Sequence, residues 1–113
     1  MKSPITTHIL DTHLGKPATS VSVALYRLEG SDYQKIASGE TNDDGRITDW
    51  MSETQRKSGT YRVVFDIQAY FDRQNIRCLY PSIAIDFNLD HEDEHYHIPL
   101  LVSANGYSTY RGS

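Results

Sequence analysis

Turn-forming residues interrupt this chain of 113 residues roughly every ten positions, so its regular elements must be short. The segments between the turns, such as 21–26 and 82–89, alternate apolar with small or polar side chains. This period of two is typical of a strand with one buried face, because successive side chains point to opposite sides. The main turn signals are Gly15-Lys16-Pro17, Glu29-Gly30-Ser31-Asp32, Asn42-Asp43-Asp44-Gly45 and Ser103-Ala104-Asn105-Gly106.

A single stretch of the sequence has a helical period. Its larger side chains recur at i, i+3, i+4 and i+7 between positions 67 and 74, which predicts one helix over Asp66–Asn75. Many short strands with one short helix and no internal repeat are typical of an antiparallel β-sandwich. We therefore predict one all-β domain over residues 1–113, with seven to eight strands.

Composition and charge exclude several classes of protein. The net charge of −4 and the lack of a basic cluster argue against nucleic acid as a partner. No stretch approaches the roughly 20 apolar residues that span a membrane. Residues 1–4 lack an apolar signal core, and the single cysteine, Cys78, fits a reducing compartment. The sequence predicts a cytoplasmic location, with a periplasmic one as the alternative if a signal peptide has been removed.

Histidines lie on unusual strand faces at both ends of the sequence. In the segment 95–102 one face carries Tyr96, Ile98, Leu100 and Val102, the pattern of a buried core face. The other face carries His95, His97, Pro99 and Leu101. Proline has no N–H for the strand ladder, so we expect this strand to lie at or near a sheet edge. His8 shares its face with Leu10, opposite Thr7 and Ile9.

The His-x-His pair has two interpretations. It could bind a metal ion with His91, Asp93 or Glu94 as further ligands. No second histidine pair or cysteine completes a tetrahedral set, so two surface histidines beside an acidic loop are the favoured alternative.

The last eight residues, 106–113, also alternate with a period of two. One face carries Ser108 and Tyr110 and runs directly into the terminal carboxylate. The segment is either a polar site built from the end of the chain or an edge strand that simply ends. Arg46, which follows the Asn42-Asp43-Asp44-Gly45 turn, would in isolation be taken for a solvated hairpin arginine.

Taken together, four segments closely resemble the transthyretin-related 5-hydroxyisourate hydrolases. They are 7–18, with His8 and the Gly15-Lys16-Pro17-Ala18 turn; 41–46, ending in Arg46; His95-Tyr96-His97-Ile98-Pro99-Leu100-Leu101; and the closing Tyr110-Arg111-Gly112-Ser113. The last motif is the hallmark that separates the hydrolases from the transthyretins, hormone carriers with the same fold and no such ending. The resemblance covers the whole chain. Only Cys78-Leu79-Tyr80-Pro81, outside these motifs, is less aromatic than the family pattern.

The resemblance implies a transthyretin-like β-sandwich that forms a homotetramer around a central channel, with active sites where subunits meet. By motif position, His8, Arg46, His97 and Ser113 would be catalytic, and Tyr110 would bind substrate together with His8 and Arg46. The implied reaction is the hydrolysis of 5-hydroxyisourate to 2-oxo-4-hydroxy-4-carboxy-5-ureidoimidazoline in urate degradation, part of purine catabolism, without a metal or other cofactor.

The residue types fit this chemistry. Histidine, with an ordinary pKa near 6.5, is suited to activate water at neutral pH, and either His8 or His97 could be the base. Arg46 could stabilise the negative charge that develops on a carbonyl oxygen. Two other functions stay open at this stage: a non-enzymatic carrier of a hydrophobic ligand, and a metal-binding or protein-interaction module built on His91, His95 and His97.

Overall fold

A computed structural model describes residues 3–52, 55, 57–90 and 94–112. Within these residues, seven strands have four or more residues, two strands have two, and there is one helix. The elements are β1 (Ile5–Asp11), β2 (Lys16–Pro17), β3 (Ser22–Glu29), β4 (Asp32–Glu40), β5 (Arg46–Ile47), β6 (Gly59–Asp66), α1 (Ile67–Asp72), β7 (Ile83–Leu89), β8 (Tyr96–Ser103) and β9 (Gly106–Thr109).

The strands form two sheets. One sheet is antiparallel throughout and has the order β4-β3-β6-β7. The other has the order β2-β1-β8-β9, and β5 pairs with β1 as well. The predicted β-sandwich is confirmed, with one difference: β1 and β8 run parallel. Parallel neighbours need a long crossover, and here the chain passes through the whole second sheet between them.

The core lies between the two sheets and consists of the inward face of each strand. Tyr61, Phe65, Leu25 and Ile9 are completely or almost completely buried there. The face of β8 that the sequence assigns to the core is buried as predicted, from Ile98 at 6% exposed to Leu100 at 0%. In β1, Thr7 and Ile9 are buried on that same side.

Helix α1 covers one end of the sandwich and buries Ile67, Tyr70 and Phe71. It begins one residue after the predicted start and ends at Asp72, because Asn75 adopts a left-handed backbone (φ 58°). The N–H of Ile76 then donates to the carbonyl of Phe71, and that of Asn75 to Asp72. These two bonds form a Schellman motif, which satisfies the last carbonyls of the helix.

A buried polar contact ties α1 to the end of β1. The Tyr70 hydroxyl donates to Asp11 Oδ2 over 2.6 Å, and the Asp11 Oδ1 accepts the backbone N–H groups of His13 and Leu14. Asp11 is fully buried, so every one of these hydrogen bonds offsets part of the cost of removing its charge from water. Burial, and then the contact with Asp11, raise the pKa of Tyr70 to about 12.

The strand with Pro99 was expected at or near a sheet edge, and β8 lies near one: it is the second strand from the edge, between β1 and the outermost strand β9. Proline interrupts the ladder. Pairing of β8 with β9 ends at Leu100 and Thr109, and it resumes only as the bridge between His97 and Gly112. In this register Pro99 would face Tyr110, to which it has no N–H to donate. Pro99 is buried within the chain and does not form part of an exposed face.

Candidate active site

The pairing of β1 with its two neighbours brings three of the predicted site residues together. His8 lies opposite Arg46 in the antiparallel pair of β1 and β5. In the parallel pair of β1 and β8, His8 lies opposite Pro99 and Thr6 opposite His97. The imidazoles of His8 and His97 stack with ring centroids 6.5 Å apart and planes inclined by 23°. The site therefore lies on the face of this sheet that points away from the core.

A tight turn holds Arg46 beside β1. The side-chain oxygen of Asn42 accepts the backbone N–H groups of Asp44 and Arg46, the pattern of an Asx turn. Gly45 follows with φ 73°, and a Cβ there would lie only 2.6 Å from the carbonyl oxygen of Ile9. The Gly45 carbonyl accepts the N–H of Ile9 over 2.8 Å. Glycine is therefore required at this position for the turn to approach β1 and place Arg46 next to His8.

The surroundings of His8 favour its neutral form. Burial is the main cause that lowers the pKa of His8, and the positive charge of Arg46 is the second. A hydrogen bond to the Asp44 backbone and the Asp44 charge oppose this shift without reversing it. A neutral imidazole keeps one ring nitrogen able to accept a proton, so His8 can act as a base at neutral pH.

His97 is held on two sides. Its Nδ1 lies 2.7 Å from the hydroxyl of Thr6. Gly112 packs against the ring, and its N–H donates to the His97 carbonyl over 2.9 Å. The end of the chain therefore lies directly against this imidazole. Sequence reasoning missed Thr6, although its period-two position places it on the face of His8.

The remaining predicted site residues belong to the C-terminal segment. Tyr110 is 60% exposed and, by the register of β8 with the end of the chain, shares a face with Pro99 and His97. Ser113 lies outside the described residues, so its predicted role stays a prediction. Arg111 points to the other side, where it lies over the Tyr96 ring at 4.5 Å and 3.5 Å from a carboxylate oxygen of Glu94.

The described part of the chain gives no support to the metal-site alternative. It contains no group of three or more histidine, cysteine or acidic side chains that could hold an ion. His91 and Asp93, two of the ligands considered for that site, lie outside the described residues. The same part of the chain has no helix with the length and apolar character of a membrane span.

Comparison with known proteins identifies the family. The model of the HIUase/Transthyretin family matches residues 5–112, almost the whole chain. This chain belongs to that family. A 5-hydroxyisourate hydrolase from Salmonella dublin is 40% identical over 109 residues, which cover 96% of this chain and 80% of the relative. The resemblance noted in the sequence is thereby confirmed, and so is the prediction of a hydrolase.

Two solved structures with different names are both similar to this chain. The 5-hydroxyisourate hydrolase of Klebsiella pneumoniae is 38% identical and superimposes with a TM-score of 0.81, covering 96% of this chain and 92% of that one. Sea bream transthyretin in complex with thyroxine is 31% identical with a TM-score of 0.92, covering 97% and 95%. The backbone therefore does not separate the hydrolase from the thyroxine-binding transthyretin, and the side chains of the site must do so.

Proposed function

We propose that this protein hydrolyses 5-hydroxyisourate to 2-oxo-4-hydroxy-4-carboxy-5-ureidoimidazoline, a step of urate degradation, without a metal ion. The observation that carries this proposal is the meeting of His8, Arg46 and His97 on one sheet face. Two proton-accepting groups and a fixed cation within reach of one small molecule are what hydrolysis of a ring carbon–nitrogen bond needs. Relatives of this chain that bear the name 5-hydroxyisourate hydrolase support the choice of substrate.

In the proposed mechanism a neutral histidine takes a proton from water, and the resulting hydroxide attacks a ring carbonyl carbon of the substrate. The lowered pKa of His8 suits that residue to the role of base, with His97 as orienting partner. Arg46 donates to the carbonyl oxygen on which negative charge develops. The carbon–nitrogen bond then breaks, and the leaving nitrogen takes a proton from one of the two histidines. Tyr110 contacts the substrate ring, and Ser113 positions the water.

The carrier alternative rests on the close backbone similarity to transthyretin. Carriage of an apolar ligand requires an apolar site, whereas this face presents two imidazoles and a guanidinium. Placing an apolar ligand here would remove Arg46 and both histidines from water without new partners, which is unfavourable. Hydrolysis uses the same three groups, so it is the function that the site supports better.

A homotetramer completes the proposed site. Leu10 and Leu101 pair with each other in the β1–β8 register and lie half-buried on the same face as His8 and His97. Arg46 is exposed in the single chain, so the face needs a cover that excludes water from the reaction. A second dimer of the same chain packed on this face would supply it. Light scattering should give a mass of four 12.9 kDa chains, and a fully active monomer would contradict the proposal.

The proposed reaction can be tested by an activity assay on 5-hydroxyisourate itself. Freshly prepared 5-hydroxyisourate is mixed with the protein, and the loss of its ultraviolet absorbance is compared with the spontaneous decay. His8→Ala, His97→Ala and Arg46→Ala should each lower turnover by about a hundredfold or more. His13→Ala is the matched control, because its ring is exposed on the turn after β1 and only its backbone N–H is used in a hydrogen bond.

Three outcomes would contradict the proposal. The first is a wild-type rate no faster than spontaneous decay. The second is near wild-type turnover in any of the three alanine variants at the site. The third is a loss of activity on dialysis against EDTA that zinc restores, because the mechanism draws its base and its cation from side chains.

A further inference from the structure

A single buried hydroxyl joins two imidazoles beside the site. Thr6 is 2% exposed, and its Oγ1 lies 2.7 Å from Nδ1 of His97 and 3.0 Å from Nε2 of His95. Both distances are those of hydrogen bonds. His95 itself is exposed to solvent, whereas His97 is half-buried at the site. Thr6 therefore connects a ring at the site to a ring at the surface.

The count of protons on Thr6 restricts how these bonds are arranged. A threonine hydroxyl has one proton to donate and two lone pairs to accept with. In a chain of two bonds between neutral imidazoles, the hydroxyl donates to one ring and accepts from the other. When Nδ1–H of His97 donates to Thr6, Thr6 donates to His95, and Nε2 of His97 keeps a lone pair. In the reverse arrangement Nε2 of His97 carries the proton.

We propose that Thr6 and His95 are positioning residues that set the tautomer of His97 and carry its proton to and from solvent. Thr6 thereby switches His97 between a group that accepts a proton at Nε2 and one that donates from it. The expected effects on turnover rest on the hydrolase function proposed above. The coupling between the tautomers of His95 and His97 does not, because it can be measured in the protein without substrate.

In each direction, one proton enters the relay at one end and one proton leaves it at the other. When Nε2 of His97 takes a proton, the Nδ1 proton passes to Thr6 Oγ1, the Thr6 proton passes to Nε2 of His95, and Nδ1 of His95 releases a proton to solvent. When the leaving nitrogen of the substrate takes the Nε2 proton, the same steps run backwards and restore the starting state. Among the described residues, the other charged or titratable groups near the relay are His8 and Arg46 on the His97 side and Glu94 beside His95.

The relay is tested by nitrogen-15 NMR of the histidine rings in the protein without substrate. Thr6→Val removes the hydroxyl and keeps the shape of the side chain, and Thr6→Ser restores a hydroxyl. Thr7→Val is the matched control, because Thr7 is the next residue of β1, is equally buried, and uses its hydroxyl on the Ile98 carbonyl in the core. We expect the His95 and His97 rings to titrate as a coupled pair in wild type, Thr6→Ser and Thr7→Val, and independently in Thr6→Val.

Turnover provides the second measurement. Thr6→Val should lower kcat by about tenfold to a hundredfold, the usual loss when a group that orients a functional imidazole is removed, with KM little changed. Thr6→Ser should retain most of kcat. His95→Ala should lower kcat similarly, and imidazole added to the buffer should restore part of it, because the exit for the proton is then supplied from solution.

The two proposals fail in different ways. Ring spectra of His97 that are the same in Thr6→Val and wild type would overturn the relay, whatever the activity. Equal losses of kcat in Thr6→Val and Thr7→Val would overturn it as well, since the effect would then follow from lost stability. Coupled titration in a protein without hydrolase activity would retain the relay and overturn the proposed reaction.

Discussion

A methyl group added at Gly112 should disable the site without disturbing the rest of the fold. The Cβ of Gly112→Ala would lie 2.5 Å from Cδ2 of His97, 3.2 Å from its Cγ and 3.3 Å from Cγ of Pro99. Carbon atoms in contact prefer about 3.5–4.0 Å, so the imidazole or the end of the chain must move by about 1 Å. The backbone of Gly112 lies outside the left-handed region, so the substitution acts through this contact alone.

The ring cannot move without losing other contacts. His97 Nδ1 is 2.7 Å from the Thr6 hydroxyl, and Gly112 N–H donates to the His97 carbonyl. If the ring turns, the first contact is lost, and if the chain end moves, the second is lost. A displacement of about 1 Å in a reacting group costs on the order of a hundredfold in rate. We therefore expect kcat of Gly112→Ala to fall by about that factor.

The control is Gly106→Ala in the same C-terminal hairpin. The nearest atom to a Cβ at Gly106 is Ser103 Oγ at 3.8 Å, an ordinary contact. Both variants are compared with wild type by the decay of 5-hydroxyisourate absorbance and by thermal melting. Overpacking of this kind costs about 1–3 kcal/mol, which for a domain of this size lowers Tm by roughly 4–15 °C and leaves the protein folded at the assay temperature. Turnover of Gly112→Ala within twofold of Gly106→Ala would refute the reasoning.

Three further predictions concern His8, Tyr70 and the end of the chain. In an NMR titration the midpoint of the His8 ring should lie below pH 6.5, and kcat/KM should therefore fall only below that pH. Arg46→Gln should raise this midpoint, because the substitution removes a positive charge next to the ring. An unmoved midpoint would mean that Arg46 does not act on His8. Tyr70→Phe should lower the free energy of unfolding by about 1.5–3 kcal/mol at pH 8, the worth of a hydrogen bond to a charged group. The raised pKa of Tyr70 contributes its full stabilisation below pH 10, and this contribution is lost as the pH rises towards about 12. In urea unfolding, the difference in unfolding free energy between wild type and Tyr70→Phe should therefore shrink over that range. A difference that stays constant would contradict the Asp11 contact. A tag after Ser113, or truncation after Arg111, should lower turnover more than a tag before Met1 does, with the melting temperature little changed. Equal turnover in these three proteins would show that the closing motif is only a strand end.

The sequence by itself indicated where most of the strands lie and which face of β8 packs in the core, although Thr6 and Pro99 on the outward faces are buried as well. The period of two predicted the core face of β8 and the outward face that carries His8, because local sterics fix the direction of successive side chains. The turn Asn42-Asp43-Asp44-Gly45 was evident for the same reason, since its geometry depends on neighbouring residues only. The position of α1 was predicted to within a few residues, and its end depends on Asn75.

Only the tertiary structure decided which strands are neighbours and in what register. The parallel pairing of β1 with β8 joins residues about ninety positions apart in the chain, and the period of two carries no information about partner or direction. Pro99 was expected at or near an edge, but the sequence could not show that β8 lies one strand in from it, between β1 and β9. The same register places Thr6 between His95 and His97 and sets the two site imidazoles 6.5 Å apart. Residue types thus indicated the chemistry, while the register between distant strands built the site.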